Sequence, residues 1–400
     1  AYLAGMTLCG LLAAELAVVG VAYGWTLLAL TAVGAAAYRV WRLRRARGGV
    51  RLTRPSLPAL AATALLLALL VRAVPAFVVK PLDVYDGWAM WAMKGHALQL
   101  FGWADPKLFA GPGAAPLHLD YPLFLPALES LDYRALGAFD TQLVHLQLLL
   151  LAVAAASALA WTLRGLAPDW AVWATVAAVA TAPNVLLRLL TGYADVPLAL
   201  LVAVGVASAA GWLVTGERKR LAYATLLLAA AALTKNEGLI FVGACYVGLL
   251  AAAPRRWRPI LVSAACVELA LLPWQVYLRV HDIGSDSTSP LHFHGHLGIA
   301  PIALRRLLEM SFSPRQWALL APLFVLALAL AALRRHWPTA LFAALWAGLS
   351  LGALTWIYVS SSLPYSDYLD ASGDRVVSAL VLGAAALVPV LVGRPHYHRS

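Results

Sequence analysis

The residues of this 400-residue chain whose types and spacing could do chemistry fall in a few short stretches between long apolar runs. The first reads Pro81-Leu82-Asp83-Val84-Tyr85-Asp86-Gly87-Trp88 and continues Ala89-Met90-Trp91-Ala92-Met93-Lys94-Gly95. Asp86, with Asp83 beside it, falls where an apolar run ends and an aromatic-aliphatic helix begins. A carboxylate at a water–lipid boundary can take a proton from a hydroxyl nucleophile, which is the work of a general base. An N-cap or a solvated loop acid is the plainer reading of Asp86. Next comes His118-Leu119-Asp120-Tyr121-Pro122, where His118 and Tyr121 could hydrogen-bond a polar ligand, although a Pro-initiated helix explains most of the segment.

Two short turns follow, Thr191-Gly192-Tyr193-Ala194-Asp195-Val196-Pro197 and Thr234-Lys235-Asn236-Glu237-Gly238. The apolar runs around the second are shorter than the roughly 20 residues a spanning helix needs, so Lys235 and Glu237 should lie below the membrane surface. Ionisable groups at depth cost roughly 2.5–3.5 kcal/mol each and normally line a wet cavity; a self-paired Lys235–Glu237 turn is the alternative. Arg375, in Ser372-Gly373-Asp374-Arg375, begins the last apolar run. An arginine at a helix N-terminus opposes the helix dipole, whereas a phosphate bound there would gain both the dipole and a bidentate cation; a salt bridge to Asp374 or Asp367 is the dull alternative. His292, His294 and His296 alternate, so a divalent metal is possible there, zinc before magnesium, and His294 is a candidate substrate contact.

The elements that must position these residues are membrane helices. The chain is 62% hydrophobic and only 12% charged, against roughly 25% in soluble domains, which excludes a soluble fold. Apolar runs long enough to cross about 30 Å of hydrocarbon recur throughout, without the alternation of barrel strands. The expected spans are 2–19, 21–38, 57–79, 138–163, 169–187, 196–215, 221–234, 238–253, 259–278, 315–333, 339–358 and 376–393. The opening run lacks the short core and cleavage site of a signal peptide and reads as spanning. Stretches 86–101, 121–136 and 302–312 read as helices lying in the interface plane. The fold class is therefore all-α, a polytopic bundle of about 12 spans. Residues 1–56 carry two N-terminal spans and a basic loop, 57–393 form the main membrane domain, and 394–400 are a cytoplasmic tail. Cys9, Cys245 and Cys266 lie in apolar runs and read as packing residues.

Charge orients the bundle. One set of loops holds 18 of the 30 basic residues against only Asp169 and Glu217, and by the positive-inside rule it is cytoplasmic. The other set holds 15 of the 19 acids and the long connections 80–137, 279–314 and 359–375. Chemistry is expected on that non-cytoplasmic side, in a plasma (inner) membrane. The net charge of +11 reports topology and not nucleic-acid binding, because no water-exposed domain is long enough to present a basic face.

Taken in order, these stretches resemble the GT-C superfamily of membrane glycosyltransferases, in particular the bacterial branch related to protein mannosyltransferases and lipid A aminoarabinose transferases. The resemblance runs from about 57 to 393. It implies a polyprenyl-phosphate sugar donor, a lipid or glycan acceptor, and inverting displacement at the anomeric carbon. It further implies Asp86 as base with Asp83 as the alternative, Asp195 positioning the acceptor or a cation, and Lys235 and Arg375 neutralising the donor phosphate. The family's side-by-side acidic pair is absent, since Gly87 follows Asp86, which puts metal dependence in doubt. A transporter or flippase of lipid-linked intermediates is the rival reading; it should show paired halves and discontinuous helices.

Overall fold

The computed structural model describes residues 2–24, 29, 32–34, 36, 37, 40, 55–111, 118–284, 297–361 and 365–393. Among them its regular elements are all helices; Arg164 and Ala167 form an isolated bridge, and there is no strand. In chain order the main helices are α1 (Tyr2–Val18), α2 (Leu57–Val79), a π-helical segment (Asp86–Ala92) running into α3 (Met93–Phe101), α4 (Phe124–Leu136) and α5 (Thr141–Leu163). Then come α6 (Asp169–Thr181), α7 (Pro183–Leu189), α8 (Asp195–Thr215), α9 (Arg218–Ala232), α10 (Gly238–Ala252) and α11 (Trp257–Val280). The last are α12 (Ala300–Ser311), α13 (Leu320–Leu333), α14 (Trp337–Ser360) and α15 (Tyr365–Val392).

Six described helices are long and apolar enough to cross a membrane: α2, α5, α8, α11, α14 and α15. The α6–α7 pair makes a seventh if its 47° bend lies within one span. The bend falls at Ala182-Pro183, where proline lacks the N–H a continuous helix needs. Three apolar helices, α1, α10 and α13, are shorter.

Helix α8 is the hub: every residue from Asp195 to Val214 is buried, and α5, α9 and α15 surround it. Small residues allow the close approaches. Gly205 sits against Leu228 of α9, and a Cβ on Gly383 of α15 would come within 2.2 Å of the Trp346 ring of α14. Helix α2 is the opposite case, with only Ala59, Ala62 and Phe77 buried, an apolar cylinder facing outward.

Helices α4 and α12 lie within the long connections as expected. Helix α12 buries Ala303, Leu307 and Ser311 against α14 and α15 and exposes Arg305, Arg306 and Glu309.

Several expected boundaries are corrected. The connection 359–375 is largely helix, because α15 starts at Tyr365 and has 28 residues. Arg375 therefore stands about three turns inside it, and the N-terminal dipole argument for a phosphate there does not apply. The span expected at 169–187 is two helices, and that expected at 315–333 begins at Leu320 after a short helical turn, Pro314–Trp317. Helix α1 ends at Val18, Gly20 takes φ +76°, and the chain stays non-helical to Gly24. Most of the expected span 21–38 lies outside the described residues. Helix α1 packs against α4, α9, α11 and α5, with Gly10 against Phe124 and Leu128. Cys245 is buried, as a packing cysteine should be, whereas Cys266 is exposed.

Candidate functional site

The N-terminus of α8, the turns before it and after α9, the π-helical segment and the middle of α15 meet at one end of the bundle. There they hold an alternating set of charges. Lys235, 6% exposed, lies 2.9 Å from Asp195 Oδ1 and 2.9 Å from Glu237 Oε1. Burial alone would lower the pKa of Lys235, but the carboxylates of Asp195 and Glu237 more than offset it and hold the ammonium charged. The expected Lys235–Glu237 pair is thus present, with Asp195 as a second partner. Arg375 pairs with Asp86, and not with Asp374 or Asp367. Asp374 is taken by Arg188 of α7, whose Nε also reaches Asn184 Oδ1 at 3.3 Å. Asp86 opens the π-helical segment without capping it, so its carboxylate is left to Arg375.

Tyr193 ties the two arginines together. Its ring centroid lies 4.7 Å from the Arg375 guanidinium and 5.7 Å from that of Arg188. The backbone brings them this close because Gly87 has no side chain: a Cβ there would lie 2.0 Å from the Thr191 carbonyl oxygen. Gly192, at φ +71°, makes the turn that presents Tyr193.

The segment from His118 to Tyr121 closes the site from another direction. Asn236 Nδ2 donates to Asp120 Oδ2 at 2.8 Å. The Lys235 ammonium lies 5.8 Å from the Tyr121 ring centroid. Lys94 Nζ donates to the carbonyl oxygens of His118 at 2.7 Å and Tyr121 at 3.3 Å. Burial, then the Glu237 carboxylate, push the Tyr121 phenol well above its ordinary pKa, so it stays neutral and able to donate.

Of the expected site residues, Asp86, Asp195, Lys235, Glu237, Arg375, Tyr193, Tyr121 and His118 are thus brought together. Asp83 stands apart, half exposed and 3.4 Å from Lys80. His294 lies outside the described residues, as do His292 and His296. Among the described residues no three His, Cys, Asp or Glu side chains gather where they could hold a metal ion.

Sequence reasoning missed Arg188, Lys94 and Asp120. Lys94 and Asp120 lie inside stretches the sequence singles out, and Arg188 stands just before the Thr191–Pro197 turn.

At the other end of the bundle arginines cap helix C-termini. Arg220 Nη1 donates to the Thr162 carbonyl at 2.6 Å, Arg256 Nη1 to that of Leu213 at 3.5 Å, and Arg334 Nη1 to that of Val392 at 3.2 Å. Basic and acidic connections therefore sit at opposite ends of α8, about 31 Å apart for its 21 residues.

Fold and site define a helical protein of membrane-spanning character with a buried, polarised charge cluster at one end. Compared with protein-family models, with curated proteins and with solved structures, the chain matches none.

Proposed function

We propose that this chain is an integral-membrane glycosyltransferase of the GT-C type, with about 12 spans. It would take a sugar from a polyprenyl-phosphate donor at the non-cytoplasmic face of a plasma membrane and pass it to a lipid or glycan acceptor. The observation that carries the reading is the Asp86–Arg375 pair: a candidate base and a candidate phosphate ligand, 289 positions apart in sequence, are held on each other. In this reading the donor phosphate draws Arg375 away and frees Asp86. The acceptor hydroxyl then attacks the anomeric carbon while its proton passes to Asp86. The carbon–oxygen bond to phosphate breaks with its electron pair on the leaving polyprenyl phosphate, whose charge Arg375 and Lys235 offset.

The test is transfer of radiolabelled sugar from a panel of polyprenyl-phosphate sugars into membranes. Asp86→Asn is expected to lose roughly 10²–10⁴-fold, the usual contribution of a general base. Glu217→Ala, at the opposite end, should retain transfer. Full activity of Asp86→Asn would remove it as base.

One observation favours the flippase reading, the 47° break between α6 and α7, the second of which carries Arg188 in its last turn. On that reading the wild type translocates a lipid-linked sugar across vesicles and transfers none.

A further inference from the structure

One side of the charged cluster is built of flat rings. Trp91 and Tyr121 lie parallel, with centroids 5.6 Å apart and planes 5° apart, and His118 lies along Tyr121 at 5.4 Å and 19°. The Lys94 ammonium stands 5.9 Å from the Trp91 centroid. Its two hydrogen bonds to the His118 and Tyr121 carbonyls fix the segment that carries these rings. His118 takes φ +47°, a conformation a non-glycine residue keeps only where its surroundings hold it.

Beside the stack is Glu237, 7% exposed. Its Oε1 is on Lys235, but Oε2 is buried with no hydrogen-bond partner. A buried acceptor without a donor is costly. Core packing would account for the rings but not for that oxygen. A ligand that brings a flat C–H face together with a hydroxyl accounts for both.

We infer that Glu237, Tyr121 and His118 seat the sugar ring itself, with its C–H face along the aromatic rings and one ring hydroxyl donating to Glu237 Oε2. The inference rests on the glycosyltransferase reading, which brings a sugar to this end of the bundle. It makes Glu237 a residue that selects among sugars by the position of one hydroxyl, a discrimination a hydrogen-bonding site achieves better than an apolar pocket.

The experiment measures binding to the purified full chain in lipid nanodiscs, so it does not depend on turnover. The probes are farnesyl phosphate and farnesyl phosphate bearing glucose, mannose, galactose or arabinose, and the readout is the affinity ratio of sugar-bearing to bare probe. For at least one sugar the wild-type ratio is expected to be roughly ten- to hundredfold, the worth of one charge-assisted hydrogen bond. Glu237→Gln and His118→Ala should each bring it down. Because either substitution could disturb folding, monodeoxy versions of the preferred sugar are bound to the wild type as well. One of them should lose the same factor as Glu237→Gln, and the two losses should not add. A ratio near one for every sugar, with farnesyl phosphate still bound, overturns the sugar seat and leaves the donor reading standing. An unchanged ratio in Glu237→Gln overturns it too. Failure of farnesyl phosphate itself to bind takes down the donor reading, and the seat with it.

Discussion

Lys235 does two jobs at once, because the turn after α9 and the N-terminus of α8 each bring it a carboxylate. Removing it alone would leave Asp195 and Glu237 buried and unpaired. Lys235→Met is therefore expected to destabilise by about 3–5 kcal/mol. The triple change Lys235→Met, Asp195→Asn, Glu237→Gln should recover most of that loss, read by thermal unfolding in detergent. Equal stability of single and triple variants would remove the ion pairing from the account. Glu129 of α4 is a different case: fully buried, with neither carboxylate oxygen hydrogen-bonded and one of them 3.1 Å from where a Gly95 Cβ would lie. Burial, and then the charge of Asp132, push its pKa well above 4.5. The native state thus holds a proton that the unfolded chain releases above about pH 4.5, so this group's stability contribution is full at low pH and is lost as pH rises toward the folded pKa. Glu129→Gln should gain more melting temperature over wild type at pH 8 than at pH 5. Burial raises Asp132 to about 7, which leaves the variant a residual decline of the same sign. A constant difference between the two pH values would mean that Glu129 is solvated.

At the scale of elements, two close approaches decide whether the site assembles. The π-helical segment meets the turn before α8 at Gly87, and Gly87→Ala must push them apart. A stability cost of about 1–3 kcal/mol is expected, with a loss of sugar transfer because Asp86 moves off Arg375. Wild-type transfer by Gly87→Ala would show that this approach does not position Asp86. Helix α15 shows what was legible and overlooked. Its first three turns carry Asp367, Asp370, Ser372 and Asp374, which reads as a loop when apolar runs are sought. Yet Leu369, Ser372, Gly373, Val376 and Val377 are buried at helical spacing. That period was present in the sequence. The bend at Ala182-Pro183 was also marked, by its proline. Arg188's pairing with Asp374 was not, because nothing local to either residue names the other.

For the whole molecule, the separation of charge along α8 predicts sidedness. In a background with Cys9, Cys245 and Cys266 replaced, Asp83→Cys and Arg218→Cys should react with a membrane-impermeant maleimide from opposite sides of oriented vesicles. Asp83 should be labelled from the non-cytoplasmic face. Labelling of both from one side would refute the orientation and, with it, the location proposed for the chemistry. The six helices that qualify as spans differ greatly in burial, from α2 on the outside to α8 at the centre. Hydropathy treats them alike, since a helix that faces lipid and one buried among helices are both apolar all round.

The sequence by itself determined the all-helical, membrane-spanning character, the segregation of basic from acidic connections, and most of the residues that meet at the site. These follow from local composition: apolar length, loop charge, and ionisable residues placed where they are costly. The tertiary structure alone decided that Asp86 holds Arg375, that Lys235 lies between Asp195 and Glu237, and that His118, Tyr121 and Trp91 stack. Those pairings join residues far apart in the chain, and only the packing of α8, α15 and the segments before them sets which charges and rings come within reach.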